Sequence, residues 1–213
     1  MQPPKKAKYK KIENTLIQSL NSTAKDFRKD ELAFLALTTK IELPLRDRWA
    51  SMLYKGLAKQ KLIVSREWKR VDLAILKESR PVVLVELKAM YTFDVVNGGV
   101  SGKKLVGCLK QDMKNAENLA NRSTSIYGVL LVTHPKEIIP NNLVGVVKYQ
   151  SRINSAFKSF GKQKEIAKIA SERTENLLRK SKILEKGTLQ GGSAFGIKTD
   201  VLYWIVKGEI KYK

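Results

Sequence analysis

The chain has 213 residues, and its 41 Lys and Arg against 20 Asp and Glu give a formal net charge of +21 at pH 7. This length allows one domain with a buried core, and the hydrophobic fraction of 43% suits a globular protein. The excess positive charge repels itself in a compact fold, which favours an anionic polymer, most simply a nucleic acid, as the partner.

The sequence also indicates a compartment. It contains no run of 18 apolar residues, so no membrane-spanning helix is expected. A membrane surface would neutralise the positive charge less often than a nucleic acid does, and no membrane partner is predicted. The charged start, Met1–Lys6, is not followed by an apolar segment and does not look like a signal peptide. The single cysteine, Cys108, cannot form an internal disulfide, which fits the cytoplasm, and no Cys/His cluster suggests zinc.

The N-terminal region is predicted to be an arm followed by helices. Residues 1–11 are rich in lysine and contain two prolines, which predicts a basic flexible arm that either contacts a nucleic acid or is simply solvated. Apolar residues recur at helical spacing through residues 12–60. Pro44 interrupts that pattern, because a proline inside a helix removes a hydrogen bond. The expected helices are Ile12–Leu20, Asp30–Leu37 and Pro44–Ala58.

The middle of the chain alternates between strand and helix patterns. A hairpin is predicted first, then a third strand, a loop, a helix and a fourth strand. These elements are Leu62–Val64 with Val71–Leu76, then Val82–Lys88, Asn97–Gly102, Lys104–Leu119 and Tyr127–Thr133. Their order predicts an α/β fold with a mixed β-sheet flanked by helices, so residues 12–135 are assigned to a helical lead-in and a core.

Residues 136–213 are predicted to pack on the same domain as a basic helical segment and one or more terminal strands. The segment Ser151–Lys186 is polar and basic, with an interruption at Gly161. Gly191–Gly196 is predicted to be a loop, and alternation from Ile197 to Ile205 predicts a strand. A phosphate-binding role for this loop is the weaker alternative to a plain turn, because phosphate loops usually lead into a helix.

Charged residues lie near the termini of two neighbouring predicted strands. Leu84, Glu86 and Lys88 fall on one face of their strand, because strand side chains alternate. Leaving a buried charge without its partner costs about 3–5 kcal/mol, so these charges need compensation. Asp72, on the preceding strand, adds a second carboxylate. Two carboxylates and a lysine suit a hard divalent cation and an activated water, although an ion pair between Glu86 and Lys88 at the sheet edge is the alternative.

The same residues carry a family resemblance. Asp72, thirteen intervening residues and Glu86-Leu87-Lys88, with a helix before and a helix after, resemble the motif of the PD-(D/E)xK nuclease superfamily. That superfamily includes restriction endonucleases and Holliday-junction resolvases. The resemblance covers roughly residues 42–135, and Val71 stands where the motif has its proline. It implies a restriction-endonuclease-like fold, with N-terminal and C-terminal helical additions, and a Mg²⁺-dependent DNA endonuclease in which Mn²⁺ can substitute.

The resemblance also implies roles for individual residues. Asp72 and Glu86 would hold the metal together with the main-chain carbonyl of Leu87. Lys88 would orient or deprotonate the attacking water, with a pKa lowered in a partly buried, cation-rich site. The superfamily usually takes a further acid from its first helix. Glu42 is expected to fill this position, since it shares a helical stripe with Trp49 and Leu53, and Asp47 is the alternative.

Other polar residues near the motif have weaker predicted roles. A group of lysines on the helix after the motif is expected to contact phosphates; its members are Lys103, Lys104, Lys110 and Lys114. Gln111 is more simply a solvated residue than an active-site glutamine. His134, at a strand end, is more simply structural than a general base. Trp68 either stacks on a nucleotide or packs on the sheet.

Three functions therefore compete. The first is a Mg²⁺-dependent endonuclease acting on DNA, with RNA as the less favoured target and a homodimer as an open possibility. The second is a nucleic-acid-binding or assembly subunit that has the same fold and no activity. The third is a basic RNA-binding protein, which only the net charge favours, and which gives no reason for acids such as Asp72 and Glu86 inside apolar strands.

Overall fold

A computed structural model describes residues 5–97, 100–161 and 163–208. One mixed sheet of six strands has helices packed against it, which confirms the predicted α/β class. The helices are α1 (Lys5–Thr23), α2 (Glu31–Thr38), α3 (Glu42–Leu57), α4 (Thr92–Val96), α5 (Val100–Ala116), α6 (Gln150–Phe160) and α7 (Gln163–Leu178). The strands are β1 (Ile63–Trp68), β2 (Val71–Lys77), β3 (Arg80–Tyr91), β4 (Ser125–Pro135), β5 (Lys182–Ala194) and β6 (Ile197–Lys207).

The strands lie in the order β1-β2-β3-β4-β6-β5. Strands β3 and β4 are parallel, and the other neighbouring strands are antiparallel. A parallel pair needs a crossover connection, and α4 and α5 supply it. The crossover places α5 directly against β3 and β4, at the centre of the sheet.

Strand β3 is buried on both faces, which explains its nearly continuous apolar sequence. On one face Val83, Val85 and Leu87 belong to a core that includes Trp49 of α3 and side chains of α1. On the other face Leu84 packs in a second core with side chains of α5 and α7. The charged residues near the end of β3 therefore lie between two packed layers.

A third hydrophobic cluster lies at the C-terminal end of β3. Tyr91 and Phe93 pack there with side chains of α6 and α7, including Ile153 and Ile166. Among the residues that the structure describes, no helix has both the length and the apolar character needed to cross a bilayer.

The N-terminal arm and the central loop differ from the sequence-based predictions. Helix α1 begins at Lys5, so residues 5–11 continue the helix that was predicted from Ile12, and residues 1–4 lie outside the described part of the chain. Helix α5 begins at Val100, within the predicted loop Asn97–Gly102, whose residues 98 and 99 are also not described. Both helices therefore begin earlier in the chain than the nearby prolines and glycines predicted.

The glycine-rich segment near the C-terminus is mostly strand, so the predicted loop over Gly191–Gly196 is wrong. Strand β5 begins at Lys182, inside the predicted helix, and continues to Ala194, and the turn is formed by Phe195 and Gly196. A Cβ on Gly191 would lie 2.5 Å from the carbonyl oxygen of Thr199, so glycine is needed for close approach of two strands. The glycines mark a bulge in β5 rather than a loop.

We expect Gly128→Ala to destabilise the protein by about 1–3 kcal/mol, because α5 packs so closely on β4 that the new Cβ would overlap its neighbours. That Cβ would lie 2.5 Å from Sδ of Met113 and 3.3 Å from Cδ1 of Leu109. Gly107→Ala is the matched control, since a Cβ there meets nothing within 4 Å. It should stabilise helix α5 by about 0.5–1 kcal/mol. Urea unfolding measures both, and a Gly128→Ala protein as stable as wild type would contradict the packing.

Candidate active site

Asp72 and Glu86 lie side by side on neighbouring strands. Strands β2 and β3 pair Leu73 with Val85, so the next residues along, Asp72 and Glu86, face each other. Oδ2 of Asp72 accepts a hydrogen bond from the backbone N–H of Leu87 at 2.7 Å. Glu86 is only 6% exposed. Adjacent strand register therefore brings together the two carboxylates that the motif predicts.

Proximity to Asp72 changes the protonation of Glu86. Burial, followed by the negative charge of Asp72 and a hydrogen bond with it, raises the pKa of Glu86 from its ordinary value of 4.5 to about 8. Without a cation, Glu86 therefore keeps its proton at neutral pH, because a buried carboxyl group beside a second carboxylate is costly to ionise. A divalent cation between them would remove that penalty.

The main chain of Leu87 faces the same pair. Its N–H points toward Asp72, and in a β-strand the carbonyl of a residue points to the same side as its N–H. The carbonyl oxygen of Leu87 is thus directed toward the strand edge where Asp72 lies. This agrees with the expected ligand set of two carboxylates and one carbonyl.

Lys88 is paired with a carboxylate that sequence reasoning missed. Its Nζ lies 3.1 Å from Oδ2 of Asp112 on α5. Burial lowers the pKa of Lys88, but the hydrogen bond to Asp112 and the charges of Glu42, Asp112 and Asp72 outweigh it, so the pKa is raised. The expectation of a lowered pKa is wrong, because carboxylates and not cations surround the amine. Asp112 is the one acid in α5, and it lies between the buried Leu109 and Met113, which was the available signal.

Glu42 and Asp47 have different surroundings. Oε2 of Glu42, the first residue of α3, accepts a hydrogen bond from the backbone N–H of Ala89 at 2.9 Å. Burial raises the pKa of Glu42, and the charges of Lys88 and Asp72 also act on it. Asp47 instead forms ion pairs with Arg46 at 2.8 Å and Arg66 at 2.9 Å. Of the two acids, the structure therefore brings Glu42 to the end of the motif strand.

The carboxylates open into a cleft of about 540 Å³. Its acids are Asp72, Glu86 and Asp112, and its cations are Lys69, Arg70 and Lys88, with Asn115 among the other lining residues. The sequence alone assigned no role to Lys69 or Arg70. Their proximity to the carboxylates depends on the hairpin register, which pairs Trp68 with Val71.

Lys69 and Arg70 form the two-residue turn of that hairpin with unusual backbone angles. Their φ values are 52° and 73°, in the left-handed region that Asn-Gly occupies most readily in such turns. Glu78 and Ser79 form the next hairpin turn, with φ values of 50° and 63°. Non-glycine residues in this region are strained, and Asn-Gly would form the same turn with less strain. The turn at the cleft nevertheless carries two cationic residues.

The four lysines predicted to contact phosphates lie on different sides of α5. Taking about 100° per residue, Lys104 lies roughly 80° from Asp112, while Lys103, Lys110 and Lys114 lie roughly 160–180° away. Nζ of Lys110 donates a hydrogen bond to the carbonyl oxygen of Leu177 at 3.1 Å. The expectation that all four lie near the site is therefore wrong, because helical rotation turns three of them away from the cleft.

The remaining candidates lie outside the cleft or pack beside it. Gln111 is exposed and donates to Oδ1 of Asn115. His134 is 3% exposed, neither ring nitrogen has a hydrogen-bond partner among the described residues, and burial lowers its pKa to about 4. Trp68 packs against the second core, which contains Leu84 and side chains of α5 and α7. Nζ of Lys69 lies 4.8 Å from the centre of its ring.

The donor set is small for a metal centre. Within residues 5–97, 100–161 and 163–208, no group of three or more His, Cys, Asp or Glu side chains is arranged to hold a metal ion. Mg²⁺ nevertheless keeps several waters and is usually bound by one or two carboxylates together with substrate phosphates. Asp72, Glu86 and the Leu87 carbonyl fit that pattern, and the raised pKa of Glu86 is the sign of a pair that lacks a countercharge.

Comparison of the chain with protein-family models, curated proteins and solved structures found no match. The resemblance to the PD-(D/E)xK nucleases therefore depends on Asp72, Glu86, Leu87 and Lys88 and on their setting in the fold.

We expect Glu86→Gln to stabilise the protein in EDTA by about 1–3 kcal/mol at pH 7.5 and much less at pH 5. Between pH 4.5 and 8 the unfolded chain has released the Glu86 proton while the native state retains it, so native stability falls as pH rises. The glutamine removes that dependence. Urea unfolding at both pH values measures it, with Glu78→Gln, at an exposed turn, as the matched control. A loss of stability that is the same at both pH values would contradict the assignment.

Proposed function

We propose that this protein is a Mg²⁺-dependent DNA endonuclease with a PD-(D/E)xK-type site. The observation that carries the proposal is the facing pair of carboxylates, the buried Glu86 and the partly buried Asp72, with Lys88 two residues further along the strand. Two facing carboxylates, one of them buried, oppose folding, and their retention at the edge of a cleft that also presents cations is best explained by metal-dependent chemistry on a phosphate ester.

Each residue has a role in the proposed reaction. Asp72, Glu86 and the carbonyl of Leu87 would hold Mg²⁺. When bound, Mg²⁺ lowers the pKa of a coordinated water and stabilises negative charge on the cleaved phosphate. Lys88, whose pKa is raised, acts as an ammonium group that orients the water or a phosphate oxygen rather than as a base.

Glu42 and Asp112 position this lysine. Both acids act on Lys88, Glu42 through its charge and Asp112 through an ion pair at 3.1 Å. Glu42 also holds the backbone N–H of Ala89, next to Lys88 in the chain. A phosphate that enters the cleft competes with Asp112 for the amine, so substrate binding would transfer Lys88 from a carboxylate to the reacting group.

The net charge of +21 supports a polyanionic substrate. Lys69 and Arg70, the two residues of the β1–β2 turn, line the cleft. Their positive charges are suited to binding the phosphate backbone of a nucleic acid. The exposed Cys108 fits a reducing compartment, which supports a cytoplasmic protein.

One observation favours the competing function, a nucleic-acid-binding subunit without activity. No third carboxylate joins Asp72 and Glu86 in a metal-holding group among the described residues, and Lys88 is already paired with Asp112. A binding protein gains nothing from the pair of Asp72 and the buried Glu86, however, since two carboxylates repel phosphate and oppose folding. A cleavage assay distinguishes the two functions.

We expect Asp72→Ala and Glu86→Ala each to reduce Mg²⁺-dependent nicking of a plasmid by more than about 100-fold, because each loses a direct metal ligand. Binding of DNA measured in EDTA should stay within a few-fold of wild type. Glu42→Gln should lower the rate, because Lys88 loses one of the two acids that position it. Nicking with and without Mg²⁺, followed on agarose gels, measures these effects.

Asp47→Asn is the matched control for the acidic variants. Asp47 lies on the same helix as Glu42 but is paired with Arg46 and Arg66. Its loss should leave the Mg²⁺ dependence unchanged. Wild-type protein without Mg²⁺-dependent nicking, or an Asp72→Ala variant as active as wild type, would overturn the endonuclease proposal.

We expect replacement of Lys69-Arg70 by Asn-Gly to weaken DNA binding and to stabilise the fold. Two lost phosphate contacts should make the slope of log affinity against log salt shallower by about 1.8. Relief of the left-handed strain should add about 1 kcal/mol of stability. Fluorescence anisotropy from low to moderate salt measures the slope. Asn-Gly in place of Glu78-Ser79, a turn with matching φ values, should add stability without weakening binding. Equal slopes in both variants would contradict the role of Lys69 and Arg70.

A further inference from the structure

A second cleft lies further along β3 from the carboxylates. Its volume is about 260 Å³, and Ala89, Met90 and Tyr91 of β3 form part of its wall. Tyr91 is three residues beyond Lys88, a distance of about 10 Å along a strand. A nucleic-acid strand that leaves the first cleft along β3 therefore reaches the second one within a few nucleotides.

The second cleft is strongly cationic. Lys40, Lys104 and Arg152 line it, and Asp94 is its one acid. Oδ2 of Asp94 accepts a hydrogen bond from the backbone N–H of Tyr91 at 2.9 Å. Among the described residues, none of the three cations is in a salt bridge. Their charges are therefore available to an anion such as a phosphate.

The two clefts are electrostatically connected. The charge of Lys40 acts on Glu42 beside the first cleft and on Asp94 in the second. Lys104 projects from α5, the helix that also supplies Asp112 to the first cleft. The cations of the second cleft thus extend the positive surface away from Lys69 and Arg70.

Aromatic rings form the other wall. Tyr91 and Phe93 stack with their ring centres 5.2 Å apart, and the ring of Tyr149 lies edge-on to both, at 5.3 and 5.7 Å. The hydroxyl of Tyr91 donates to the carbonyl oxygens of Ala36 and Thr39, which fixes its ring. Tyr149 itself is only partly buried and has a φ of 62°, in the left-handed region.

Cations and a partly exposed aromatic ring, here Tyr149 packed edge-on against Tyr91 and Phe93, are the combination that binds nucleotides. Cationic groups hold the phosphate, and an aromatic face stacks on a base at little entropic cost. The guanidinium of Arg152 lies over the ring of Tyr149 at 6.0 Å from its centre, and Nζ of Lys148 lies over the same ring at 5.4 Å, so one ligand can meet the ring and a cation together. A base inside a duplex is stacked on both faces and is not free to contact such a ring.

We propose that the second cleft binds an unpaired nucleotide of the substrate, with its phosphate on Lys40, Lys104 and Arg152 and its base on Tyr149. The inference rests on the proposed function, since the strand that occupies this cleft is the one that passes the carboxylates. It specifies that function further, because the favoured substrate is DNA with an unpaired nucleotide next to the cleaved bond.

Binding in EDTA tests this inference without any cleavage. The probes are a blunt duplex and the same duplex with a single-stranded overhang, both labelled with a fluorophore. Wild type should bind the overhang DNA about tenfold more tightly than the blunt duplex. Tyr149→Leu should remove that preference, and Arg152→Ala should weaken binding to the overhang DNA several-fold. Tyr54→Leu and Arg179→Ala are matched controls at exposed positions outside the cleft, and both should retain the preference.

Photocrosslinking of wild-type protein keeps the test independent of variant folding. An overhang carrying 5-iodouracil should crosslink to the peptide that contains Tyr149, as located by mass spectrometry. Crosslinks confined to other peptides, or an overhang preference retained by Tyr149→Leu, would overturn the inference. Competition by free deoxyadenosine monophosphate as strong as that of the overhang DNA would also overturn it, because the cleft would then bind a free nucleotide.

The two proposals fail in different ways. If plasmid nicking is insensitive to Asp72→Ala while the overhang preference depends on Tyr149, the endonuclease proposal fails and the nucleotide site remains supported. If nicking requires Asp72 but Tyr149→Leu and Arg152→Ala bind both DNAs as wild type does, the nucleotide site is overturned and the endonuclease proposal stands.

Discussion

The parallel pairing of β3 with β4 is the constraint on which the rest of the structure depends. Parallel neighbours need a crossover, and here it lays α5 across the face that carries Glu86 and Lys88. The close contact at Gly128 then sets how near α5 approaches the sheet. As a result, Asp112 reaches Lys88, and one wall of each cleft comes from the same helix.

The carboxylate pair shows how a site can oppose the stability of its own fold. Glu86 is nearly inaccessible and faces Asp72, so its pKa rises to about 8. That shift is a cost to folding at neutral pH, and it disappears if a divalent cation binds between the two acids. Lys88 does not neutralise the pair by itself, because it is also bound to Asp112. In the absence of a bound cation, the proton that Glu86 retains at neutral pH offsets the repulsion between the two acids.

Positive charge is distributed unevenly around this centre. Lys69 and Arg70 occupy one end of the first cleft in a strained turn, and Lys40, Lys104 and Arg152 line the second cleft. Their arrangement follows β3 from its motif residues to Tyr91. The proposed endonuclease and the proposed nucleotide site share this track, because the same strand supplies the carboxylates and the aromatic wall.

The sequence by itself determined the α/β class, the β1–β2 hairpin and the strand that carries Glu86 and Lys88, because hydrophobic periodicity and turn residues are local signals. It favoured Glu42 over Asp47 as the further acid, from the helical stripe that Glu42 shares with Trp49, but it left Asp47 open. The tertiary structure alone decided that Asp112 pairs with Lys88, that the predicted phosphate lysines other than Lys104 face away, and that Tyr149 and Arg152 meet at a second cleft. These features depend on strand register, helix rotation and packing between residues distant in the chain, which no local pattern of amino acids specifies.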